Sequence, residues 1–123
     1  MTRFLISAGA LCAALSVALG AFAAHGLKTR LPAEMLAVFQ TGVQYQFYHS
    51  LGLILIGLIV MNVKSTGLLS AAGLLMLAGI LLFSGSLYVL STTGIRSIGM
   101  VTPIGGAAFI LAWLMLAVGI WRG

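Results

Sequence analysis

The chain has almost no acid: one of its 123 residues is Asp or Glu, Glu34, and 6% carry a formal charge of either sign. A water-soluble domain wets its surface with about a quarter charged residues. A chain with 62% hydrophobic residues and a mean hydropathy of +1.22 has nothing to cover such a surface with, so its outside faces lipid. A single carboxylate removes paired acid and base chemistry, and none falls within a membrane span where proton-coupled transport usually places one. Cysteine is equally scarce. Cys12 stands alone inside an apolar run, without a second thiol for an intrachain disulfide or a thiolate metal site, and reads as a small packing residue. Also missing is the alternation of polar and apolar residues that a membrane barrel needs. Backbone groups in lipid are then satisfied only within helices.

What is present is four long apolar runs, which predict an all-α membrane protein with spans at about 4–24, 42–61, 68–90 and 102–121. The first run begins after Arg3 and imitates a secretory signal with its Ala21-Phe22-Ala23 ending. It is longer than a usual signal core and is read as a transmembrane helix. Small residues at Ala10, Ala14 and Ala18, and at Ser16, Gly20 and Ala24, recur at the four-residue spacing that lets helices approach closely, which predicts an interior position for this helix. Pro32 suits a first helical position and Glu34 the positive end of a helix dipole, so 32–40 reads as a short interfacial amphipathic helix before the second span. A short turn over 62–66 makes the second and third spans antiparallel neighbours. Pro103 opens the fourth.

The net charge of +5 raises nucleic acid as a partner, but that role needs a basic cluster on a displayed surface. Arg3, Lys28, Arg30, Lys64 and Arg122, together with Trp121, stand instead at the ends of apolar runs as interface anchors, so the first partner is membrane lipid. Four spans put Arg3, Lys64 and Arg122 on one side against Lys28, Arg30 and Arg96 on the other. That count leaves orientation to Arg3, which favours termini in the cytoplasm.

Chemistry concentrates where the apolar pattern weakens. The second span cannot cross the bilayer on LGLILIGLIVM alone, so it takes in the polar stretch 41–50. On a helix Thr41, Gln44 or Tyr45, Tyr48 and Gly52 share one face, while Gly42, Gln46, His49 and Leu53 share another. Amide and imidazole groups that far inside should face protein or a wet cavity. With His25, Ser84, Ser86, Tyr88, Arg96 and Thr102 they form a candidate polar site gathered towards the membrane face that carries His25 and Arg96. Both histidines near one interface make a shared site geometrically possible, but two ligands do not close a metal site. No serine or cysteine sits beside a base as a nucleophile, so no catalytic residue, metal or cofactor is assigned. Gln44, Tyr45, Gln46 and Tyr48 could line a pocket for a small solute.

The motifs GAFAAHGL at 20–27, TGVQYQFYH at 41–49, SGSLY at 84–88, TGIR at 93–96 and TPIGG at 102–106 resemble those of the domain of unknown function 423 family of small bacterial membrane proteins, which are transmembrane protein 256-like. The likeness spans essentially the whole chain. It implies a four-helix, multi-pass protein of the bacterial inner membrane and brings no activity or ligand with it. The expected role is non-enzymatic: a binding, scaffold or accessory subunit acting through the loops near His25 and Arg96, assembled as a homo-oligomer and with a possible membrane-protein partner. The alternative is a small oligomeric channel or transporter lined by the polar start of the second helix.

Overall fold

The computed structural model describes residues 1–64 and 66–122. Every regular element among them is helical, and four helices are long and apolar enough to cross a bilayer. Helix α1 covers Thr2–Leu27 and finishes in a π turn at Ala23–Leu27. Helix α2 covers Ala33–Val60, and α3 covers Gly67–Thr93 with a second π turn at Ile80–Ser84. Helix α4 covers Thr102–Arg122 and follows a 3-10 turn at Arg96–Met100. Ser65, in the turn read over 62–66, lies outside the described residues.

The ends follow from local chemistry. Pro32, with φ −56° and a non-helical ψ of 152°, is the residue before α2 rather than its first helical position, and its carbonyl accepts from Leu36 N–H at 2.9 Å to open the helix. Asn62 donates its side-chain amide to Leu58 O at 2.8 Å and closes the far end of α2. Gly94 stops α3 in the left-handed region, at φ 73°, with its N–H on Leu90 O.

Residues 32–40 do not form a separate interfacial helix. They are the entry and first turns of a continuous α2, because nothing between 33 and 42 breaks it. The Thr41 hydroxyl donates to Ala37 O at 3.0 Å rather than diverting the backbone, and Phe39 is buried against Ala23 and Leu27. Packing thus pulls into the bundle a segment whose polarity suggested the membrane surface.

The four helices form two antiparallel pairs, α1 with α2 and α3 with α4, joined where α2 lies along α3. Close approach of α1 to α2 centres on Gly9, where a Cβ would fall 2.7 Å from Ser50 O. Gly105 of α4 sits against the Phe83 backbone of α3, leaving no space for any side chain. An apolar core of Leu5, Leu53, Ile56, Leu69, Met76, Phe109 and their neighbours fills the half nearest the termini. A smaller cluster of Ala23, Leu27 and Phe39 fills the other end.

The first helix is peripheral, not interior. Its buried face is Leu5, Gly9, Ser16, Ala23 and Leu27, whereas Ala10, Ala14, Ala18 and Ala24 are exposed. Of the two sets read from the sequence only Ser16 is buried, and the closest approach to α2 is at Gly9, which belongs to neither. Large apolar side chains such as Leu11, Leu15, Ile104 and Ile110 cover the outside, as a lipid-facing surface requires.

Candidate functional site

Between the two apolar clusters lies a polar layer built on α2. Gln46 is at the middle of that helix, about 20 Å from either end by helical rise. Its amide nitrogen donates to Cys12 O on α1 at 2.8 Å, and its amide oxygen accepts from the Tyr88 hydroxyl on α3 at 2.5 Å. One side chain therefore ties three helices. Ser50, one turn further along and fully buried, donates to the Gln46 carbonyl.

The same layer continues into α3 and α4. Ser84 donates to Gly42 O at 2.7 Å, and the Ser86 and Thr102 hydroxyls meet at 2.5 Å, linking α3 to the start of α4. Gly42 is required for this geometry, since a Cβ there would fall 2.8 Å from Tyr88 Cε1. The Tyr88 ring lies over it, 4.9 Å from the Phe39 ring, and that seat aims the hydroxyl at Gln46.

His49 is 6% exposed, and its Nδ1 donates to Tyr45 O at 2.7 Å, because a carbonyl only accepts. The imidazole is stacked on Phe109 of α4 with centroids 3.5 Å apart and planes 9° apart, and Trp113 closes in at 5.8 Å. Tyr45 packs on Phe83 at 4.7 Å. The space between α2 and α4 is thus bridged by rings, with His49 as one of them.

This arrangement can join helices and fix their register. Its hydroxyl and amide groups are held by partners within the chain, and no buried side-chain nitrogen or oxygen among the described residues lacks a hydrogen bond. Among the described residues no three His, Cys, Asp or Glu side chains come together to hold a metal ion. The two histidines do not share a site. His25 is exposed in the π turn that ends α1, while His49 lies about 24 Å along α2 from Ala33.

Residues 19–106, which contain every residue of the polar set from His25 to Thr102, match the family model described as "Protein of unknown function (DUF423)". The chain belongs to the DUF423 family. The UPF0382 membrane protein YwdK of Bacillus subtilis is 49% identical to this DUF423 chain over 116 residues, 94% of each. The UPF0382 membrane protein SSP2132 of Staphylococcus saprophyticus is 46% identical over 124 residues, 98% of each. The UPF0382 membrane protein SH2409 of Staphylococcus haemolyticus is 45% identical over 124 residues, 98% of this chain and 97% of the relative. No solved structure matches.

Within the DUF423 bundle, the polar set read from the sequence divides in two. Gln46, His49, Ser84, Ser86 and Tyr88 lie inside the bundle, deeper than the membrane face to which they were assigned, while Thr102, the first residue of α4, stays at the loop end and meets the Ser86 hydroxyl from there. For Gln46 and His49 the reason is that α2 begins at Ala33, so residues placed at the entry of a span lie at its middle. His25 and Arg96 are exposed at the loop end, and Gln44 and Tyr48 are exposed on the outward side of α2. Tyr45 is half-out, its ring against Phe83. Sequence reasoning left Ser50, Phe109 and the Cys12 carbonyl out of the set. Ser50 follows Gln46 by four and could have been found from helical spacing. Phe109 is one apolar residue among many, and a backbone carbonyl has no sequence signature.

Proposed function

We propose that this DUF423 chain is a non-enzymatic, multi-pass protein of the bacterial inner membrane that acts by binding, as a scaffold or accessory subunit, through the loop face around His25 and Arg96. The observation that carries this reading is the division among polar groups. Those at mid-bundle are engaged with the chain's own helices, while four side chains are exposed at one end, His25 in the last turn of α1 and Lys28, Arg30 and Arg96 on the connections 28–32 and 94–101. A four-helix frame tied internally by hydrogen bonds is a rigid base for such a face.

Transport through a path lined by the start of α2 is the alternative. Against it, the bundle beyond His49 is filled by Leu53, Ile56, Leu69 and Met76, each at most 1% exposed. A photo-crosslinking residue at 25 or 96, introduced into the native membrane, should give adducts of one shared mass, absent when the same group stands at 64. Solute flux in proteoliposomes that falls with both His49→Ala and Gln44→Ala would favour transport and overturn the binding role.

A further inference from the structure

We propose that the outward face of α2 along Gln40, Gln44 and Tyr48, with the adjoining edge of α1, is a homodimer interface related by a two-fold axis. All three side chains are exposed, Tyr48 by 54%, and none of their amide or hydroxyl groups has a hydrogen-bond partner among the described residues. They recur every four residues and so form one stripe. The charged residues locate this stripe in depth. Lys28, Arg30 and Glu34 bracket the bundle at one end, and Arg3, Lys64 and Arg122 at the other. Gln44 lies about 15 Å along α2 from Glu34 and Tyr48 about 21 Å, so both groups face the hydrocarbon layer, beyond the reach of the headgroups.

Acyl chains offer neither donor nor acceptor, and a carboxamide left there loses the hydrogen bonds it makes in water. A second copy repairs this deficit with no other chemistry required. An amide both donates and accepts, so Gln44 of one copy is complementary to Gln44 of the next, which is the condition for an isologous contact. The relief of the surface agrees. An almost wholly apolar groove of about 330 Å³ opens between α1 and α2, lined by Val17, Gly20, Val43 and Phe47 and by the carbon parts of Gln44 and Tyr48, so beside the amide stripe it offers apolar area for a second copy to fill. Ala14, Ala21 and Ala24 are exposed on the α1 side and permit close helix approach. This surface is separate from the loop face, and the two readings stand or fall independently.

The test uses the full chain in membranes. With Cys12→Ala as background, Gln44→Cys should form a disulfide-linked dimer on mild oxidation, whereas Ile110→Cys, exposed on α4, should remain monomeric. Energy transfer between labelled copies in lipid vesicles, followed on dilution with lipid, should show association weakened by about tenfold in Gln44→Leu/Tyr48→Phe, as expected for loss of several interhelical polar contacts. Both substituted side chains are exposed, so the fold of the single bundle is retained. Equal cross-linking at 44 and 110, a monomer at every protein-to-lipid ratio, or unchanged association of the double variant would each overturn the proposal.

Discussion

Gln46 holds α1 by its amide nitrogen and α3 by its amide oxygen, at a depth where water does not compete for either. Polar contacts between helices in lipid contribute on average about 0.6 kcal/mol and at most about 1.7 kcal/mol. Gln46→Leu removes two such contacts and leaves the Tyr88 hydroxyl without its acceptor. The expected loss of stability is about 1 to 2 kcal/mol, measured by reversible denaturant unfolding in detergent. Tyr88→Phe should cost less, because the amide keeps its bond to Cys12, and the double variant should lose less than the sum of the two. A strictly additive double variant would show that the two side chains do not share a hydrogen bond. The amide in an apolar span is what made Gln46 legible in the sequence. Gln44 carried the same signal and faces outward. Two residues of helical rotation separate them, and only the position of α3, which brings Tyr88 to one side of α2, decides which of them is inside.

Between elements the decisive quantity is the distance of closest approach, and Gly105 and Gly106 give it a controlled comparison. At Gly105 any Cβ meets the Phe83 backbone, whereas at Gly106 the nearest atoms are Phe83 ring carbons at 3.8 Å, an ordinary contact. Gly105→Ala should therefore destabilise the α3–α4 pair by about 1 to 3 kcal/mol, the cost of overpacking a filled interface. Gly106→Ala should change stability by less than about 0.5 kcal/mol, read from thermal unfolding in the same detergent. Equal effects would mean that the helices do not cross at Gly105. The number and order of the four helices, and the contact between the second and third, followed from the length of the apolar runs and the short turn between them; the pairing of α1 with α2 and α3 with α4 did not. Their rotation did not. Helix α1 carries small residues on several sides, Ala10, Ala14 and Ala18 on one and Ser16, Gly20 and Ala24 on another, and spacing alone does not show that Gly9 and Ser16 are the ones that meet α2. The continuity of α2 through 33–42 was equally hidden, since the burial of Phe39 against Ala23 and Leu27 is a tertiary contact.

At the scale of the whole molecule, an even number of spans fixes which loops share a side, whatever the orientation. The connections 28–32 and 94–101 lie at one end of the bundle, and Met1, residues 61–64 and Arg122 lie at the other. Single cysteines at His25 and Arg96, in the Cys12→Ala background, should therefore react with a membrane-impermeant maleimide from the same side of sealed vesicles. Lys64→Cys should react only from the opposite side. A cysteine at position 49, walled by Phe109 and Trp113 and backed by Leu53 and Ile56, should react from neither. This last position separates the two classes of function. A binding frame needs its mid-bundle residues shielded to keep the helices in register, whereas a solute path needs water to reach them from at least one side. Labelling at 49 at a rate comparable to that at 25 would place water beside the polar layer. It would then shift the functional reading from a face that binds at the loop end to a passage through the bundle, without disturbing the four-helix fold.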